Sequence, residues 1–202
     1  MSTKKIGSWL LALFAGAALL LAVPGTTFAQ EAKTLEVDPA HSDFLVRAKH
    51  MGVGYTFVEF NEMSGTVELN EEKPSDSSVN ITVKAASIES HNKKRNGHLK
   101  SPDFLNAKKY PEITFESDEI EKVDDKTFKV SGDLTIRGVT KPITVDIKHL
   151  GTMTDPKGKT HAGFYTEFKI DRTDFDINWK KDAGIVGKKL HLTIAIEAVS
   201  PN

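Results

Sequence analysis

Val79-Asn80-Ile81-Thr82-Val83-Lys84-Ala85 alternates apolar and polar side chains without a slip. Successive side chains of an extended chain point to opposite faces, so this register makes a strand with one apolar face and one solvated face. The pattern returns at Ile143, Val145, Ile147 and His149 against Thr144, Asp146 and Lys148, and again at Leu190, Leu192, Ile194, Ile196 and Ala198. Less regular strands are expected at 44–49, 55–60, 65–69, 113–116, 127–130, 134–137 and 164–170. Turn chemistry separates them at 71–76, Asp124-Asp125-Lys126, Asp155-Pro156-Lys157-Gly158 and Asp182-Ala183-Gly184. The expected fold is therefore mainly β, an antiparallel meander of about eight strands. Such a meander either stacks as a sandwich or closes into a barrel whose interior holds side chains or one ligand.

One stretch breaks the meander. Residues 90–111 carry a short helical insertion near 96–108, with 98–105 as the helix and Leu99, Phe104 and Leu105 as its apolar contacts. The same stretch gathers His91, Lys93, Lys94, Arg95, His98, Lys100, Lys108 and Lys109. At the other end of the chain, Lys4 and Lys5 precede fifteen uncharged residues from Trp9 to Val23, then Pro24-Gly25 and Thr27-Phe28-Ala29. This reads as a signal peptide over 1–29, cleaved after Ala29, because Pro24 to Thr27 interrupt the apolar run before it can span a bilayer. An uncleaved anchor is the alternative. The remaining 30–202 reads as one domain, periplasmic or secreted, with 25 basic against 28 acidic residues. That balance leaves no nucleic-acid footprint. The absence of cysteine excludes disulfides, thiolate metal sites and a cysteine nucleophile.

Several strings resemble the YceI-like family, exported barrels of lipocalin-like shape with an elongated apolar tunnel. They are Asp38-Pro39-Ala40-His41-Ser42, His50-Met51-Gly52-Val53, Ser64-Gly65, Ala86-Ser87-Ile88, 95–105, 110–115, 132–142 and Arg172-Thr173-Asp174-Phe175. Their joint order over some 140 residues carries the resemblance. It implies a lipocalin-like β-barrel that binds a polyisoprenoid, an isoprenoid quinone or a fatty amide non-covalently, with no other cofactor. Three places depart from the family's usual residues: Asn96 stands for Asp, Asp176 for Gly, and an acidic residue usual near Lys188 is missing. Asn96 removes a carboxylate partner expected for Arg95 or His98, and Asp176 a glycine turn.

Residues two apart share a face, so His50 ends the row of Phe44, Val46 and Ala48, and His149 ends that of Ile143 to Ile147. His41 and His191 fall on outward parities. The ligand-lining candidates are Phe44, Val46, His50, Phe57, Phe60, Phe104, Phe115, Ile136, Val145, Phe164, Phe168 and Ile194, each of which core packing would also explain. Arg95 and His98 are candidates for a polar head group, against a plain solvated loop. The His91 to His98 spacing fits no helical pair and has no Cys partner, so no metal site is expected. Nucleophile-elbow, phosphate-loop and dinucleotide motifs are missing. An enzyme acting on a lipid through His50 or His98, and a stress-protective domain with a filled barrel, stay as alternatives. A long-chain lipid is the expected partner, nucleic acid is not, and transient membrane contact and a homodimer are left open.

Overall fold

The computed structural model describes residues 32–201. The signal segment expected over 1–29 and its cleavage after Ala29 lie outside them. Eleven strand segments and one helix make up the domain: β1 (Lys33–Val37), β2 (Asp43–His50), β3 (Gly54–Phe60), β4 (Met63–Leu69), β5 (Ser78–Lys84), β6 (Ile88–Glu89), α1 (Lys93–Lys100), β7 (Glu112–Lys122), β8 (Thr127–Ile136), β9 (Val139–Thr154), β10 (Thr160–Asp171) and β11 (Val186–Val199).

Closure is complete around β1-β4-β5-β7-β8-β9-β10-β11, because β1 pairs with β4 on one side and with β11 on the other. The result is an eight-stranded antiparallel barrel, not a sandwich. β2 also pairs with β11, and β3 and β6 follow it outward. The first three staves are thus each broken in two, as β1 with β2, β4 with β3, and β5 with β6. Five continuous staves complete the wall. Pairing directions put the β2–β3 turn, the connection 85–111, the β8–β9 turn and the connection 172–185 at one end. The turns 70–77, 123–126 and 155–159 lie at the other.

Alternation explains the register. Leu190, Leu192 and Ile194 of β11 stand opposite Ala48, Val46 and Phe44 of β2, so the two apolar rows meet on one face. The segments read separately as 127–130 and 134–137 form one strand, since Val130, Gly132 and Leu134 stay in phase. Gly132 is required there, because a Cβ would strike the carbonyl oxygen of Glu116 on the neighbouring strand. The β8–β9 hairpin turns through Arg137 (φ 53°) and Gly138 (φ 75°), both left-handed, as a tight two-residue hairpin demands.

The helix begins and ends about five residues earlier than its sequence suggested. The Asn92 side chain caps it by accepting from Arg95 N at 3.0 Å. Pro102 stops it, because the residue before a proline avoids the helical region and Ser101 is extended (ψ 169°). Phe104 and Leu105 therefore sit in turns, yet both remain buried in the main core. Asp176 takes φ 57°, the conformation a glycine would supply, and ends the 3-10 turn Arg172–Phe175 without altering the fold.

The main core occupies the end capped by α1, around Phe44, Phe60, Phe104 and Phe175. A smaller cluster of Leu35, Val67, Leu69, Ala162 and Ala198 plugs the opposite end.

Candidate functional site

The main core leaves part of the barrel unfilled, and a third buried cluster of Ile120, Val130 and Val145 packs with Phe115, Ile143 and Phe168 nearer the plug. A cavity of about 370 Å³ opens beneath α1, and a second of about 80 Å³ continues toward the plugged end. Phe44, Ile113, Ile136 and Leu192 line both, forming the neck between them. The larger volume lies within the range of small-molecule sites.

Of the expected lining residues, Phe44, Val46, His50, Phe60, Arg95, His98, Phe104 and Ile136 line the larger cavity. Phe115, Val145, Phe168 and Ile194 line the smaller one. Phe57 does not belong with them. It is 60% exposed on the outer wall, beside Leu45 and the Arg47–His191 hydrogen bond of 2.8 Å. The reason is parity: Phe57 and Phe60 are three residues apart, and one strand cannot turn both inward. Burial, reinforced by the Arg47 charge, lowers the His191 pKa and suits its role as acceptor. Phe164 also leaves the set. Its ring stacks on His149 at 5.4 Å and packs against the plug, filling space instead of bounding it.

The larger cavity also has walls beyond the expected lining set. Val58 and Thr56 share the Phe60 parity, and Leu190 and Leu192 the Ile194 parity, so their positions were readable from alternation. Trp179, Ile177 and Arg172 come from irregular backbone between β10 and β11, where no periodicity exists to read.

Arg172 organises that segment. It is 1% exposed and donates Nε to Gly187 O at 3.2 Å, Nη2 to Trp179 O and Val186 O at 3.2 Å each, and Nη1 to Ile177 O. Burial lowers its pKa, opposed by the Asp171 charge. Four carbonyls from both sides of the loop thus converge on one guanidinium, which holds Trp179 over the cavity. Trp179 in turn meets the His98 ring edge-on at 4.8 Å, and His98 meets Phe104 at 4.9 Å.

His98 Nε2 lies 3.0 Å from Asp103, and Arg95 donates Nε to Ser90 Oγ at 3.0 Å and Nη2 to Ser90 O at 2.7 Å. The carboxylate missing at Asn96 therefore orphans neither. Asn96 instead stitches α1 to β6, donating Nδ2 to Glu89 at 2.7 Å and accepting from Ser90 N at 2.9 Å. An amide suits that place, since a second carboxylate would face Glu89. His91 and His98 turn to different partners, with His91 3.9 Å from Glu59.

Away from the tunnel, Asp38, His41 and Glu197 bring their ligand atoms within 4.8 Å of one another, on the outer wall near the plugged end. The Asp38 carboxylate accepts from His41 Nδ1 at 2.8 Å, and His161 Nδ1 lies 2.8 Å from Glu197. These carboxylate contacts raise both histidine pKa values, through Asp38 for His41 and chiefly Glu197 for His161.

Comparison with known proteins adds three findings. The model of the YceI-like domain matches residues 35–198. Protein YceI of Escherichia coli is 36% identical over 182 residues, covering 90% of this chain and 93% of its own. Among solved structures, Burkholderia cenocepacia BcnA superposes with a TM-score of 0.73 at 26% identity, over 80% of this chain and 98% of BcnA. A polyisoprenoid binding domain from Saccharophagus degradans superposes at 0.62 and 13% identity, over 85% and 100%, a likeness of fold.

Proposed function

Because the chain belongs to the YceI-like family, we propose that it is an exported, periplasmic or secreted protein that holds a long-chain apolar lipid in its barrel. One observation carries this reading: two largely apolar cavities that share a neck of four residues run from beneath α1 toward the plug, where a barrel of this size has side chains enough to fill itself. The S. degradans domain of the same fold is a polyisoprenoid binder. A polyisoprenoid, an isoprenoid quinone or a fatty amide all present the chain that such walls accept.

Energetics support binding without catalysis. Ten buried methylenes contribute about 8 kcal/mol at about 0.8 kcal/mol each. Association costs of about 4–15 kcal/mol offset much of that, so the chain alone gives modest affinity. Binding as the whole function needs no proton transfer from His50 or His98.

Native mass spectrometry of protein purified from an exporting host should show a lipid-sized adduct released by organic solvent. Ile136→Trp, placed at the neck, should leave the thermal melt within a few degrees and abolish the adduct. An apo mass in the parent, with no uptake of isoprenoid or fatty amide on incubation, would remove the lipid reading and favour a protective domain without cargo.

A further inference from the structure

Apolar walls select a chain but say nothing of its head. Resting on the tunnel reading above, we infer that the cargo is a single-chain amphiphile with an anionic head, a carboxylate or a phosphate monoester, received at the mouth by His50 and Arg95.

Among the described residues, every ionisable residue lining the larger cavity is basic: Lys49, His50, Arg95, His98 and Arg172. Among the described residues neither Asp nor Glu lines it, although acids outnumber bases from residue 30 onward. Two of the five are already engaged. His98 faces Asp103, and Arg172 is wrapped by neutral carbonyls, with the Asp171 charge nearby but no ion-pair contact among the described residues. The other three have unused donors. Arg95 commits Nε and Nη2 to Ser90, leaving Nη1 without a protein partner among the described residues. His50 makes no side-chain hydrogen bond or ion pair among the described residues, and neither does Lys49, which as its neighbour on β2 points outward and reaches only the rim.

Donor chemistry then discriminates between heads. Guanidinium and ammonium only donate, so an alcohol or primary amide could satisfy its own N–H or O–H only on an imidazole nitrogen, the Thr56 hydroxyl or backbone carbonyls. A carboxylate or phosphate accepts everything offered, in charge-assisted bonds about twice as strong as neutral ones. The wider field has the same sign. The connections at the mouth (51–53, 85–111, 137–138 and 172–185) hold ten basic and five acidic residues, while the turns at the plugged end hold four and six. Such asymmetry draws an anion toward the open end.

The test is a direct titration of delipidated, leader-free protein at low salt with palmitate, hexadecyl phosphate, palmitamide and hexadecanol, which share one chain length. The anions should bind about tenfold tighter than the amide and alcohol. His50→Gln with Arg95→Gln should bring that ratio to within twofold through loss on the anions, with the circular-dichroism spectrum retained and the melt lowered by only a few degrees as the Arg95 bonds to Ser90 are lost. Palmitate against hexadecyl phosphate separates a fatty-acid cargo from a lipid-phosphate one. Amide or alcohol binding as tight as the anions, or a preference that survives in the double variant, overturns the head assignment and leaves the tunnel reading standing. Failure of all four probes removes both.

Discussion

Replacing Arg172 with methionine isolates what holds the mouth of the barrel. The guanidinium is 1% exposed and satisfies the carbonyls of Ile177, Trp179, Val186 and Gly187. Methionine fills much of the volume and supplies no donor. Each buried carbonyl left unsatisfied costs about 1–3 kcal/mol. Ile177 is buried, whereas Trp179, Val186 and Gly187 are half-buried and recover part of their hydration, so the sum comes to about 3–5 kcal/mol. Against a total stability of about 5–15 kcal/mol this is a severe loss. In a chain of this size it lowers Tm by roughly 10–15 °C. Arg172→Lys keeps the charge but offers donors from a single point that cannot span four carbonyls, and it should lose about half as much. Urea unfolding followed by tryptophan fluorescence suits the question, because Trp179 is the only tryptophan among the described residues and sits in the loop Arg172 holds. An Arg172→Met protein within about 1 kcal/mol of the parent, with unshifted Trp179 emission, would refute this account of the mouth.

Three further outcomes are expected. Phe60→Ala should cost about 3–5 kcal/mol in urea unfolding and weaken lipid uptake, whereas Phe57→Ala, on the outer wall, should cost under about 1 kcal/mol and leave uptake unchanged; equal effects would contradict the assigned faces. Gly132→Val should fail to yield soluble barrel, or melt far below the parent, because its side chain meets the Glu116 carbonyl; a normal melt would mean the staves can part there. His41 and His161 have folded pKa values raised above about 6.5 by Asp38 and Glu197 respectively, so the stability they contribute is full below that pH and fades as pH rises through the raised values. Asp38, lowered from 3.8 chiefly by its hydrogen bond to His41, contributes stability above that pH and loses it in acid. Stability at this corner should therefore peak between about pH 4 and 6.5. His161→Gln should flatten the decline above pH 6.5 measured by denaturation at several pH values, and an unchanged slope would show that the pair contributes nothing.

Alternation alone determined the strand class, nearly every strand and the inward rows, because period two is a property of the extended backbone and needs no partner. It carried Phe44, Val46, Ile136, Val145 and Ile194 to the interior, and the outward His41 and His191 as well. The Phe57 assignment went against that same rule, and parity with Phe60 was enough to exclude it. The strand β1 was also readable, since Leu35 and Val37 alternate with Thr34 and Glu36. Its consequence was not, because a five-residue segment gives no hint that it bridges β4 and β11 and closes the ring. Helix limits were encoded locally in Asn92 and Pro102. What only the tertiary structure decided is which inward residues fill the barrel and which bound a channel. Phe164 and Phe168 lie on one strand with the same parity, yet one packs beside the plug and the other lines the cavity. That difference depends on the side-chain volumes that several distant strands bring to the same level of the barrel. Likewise the four carbonyls around Arg172 come from backbone with no repeat, so the device that shapes the mouth exists only once the loop has folded onto it.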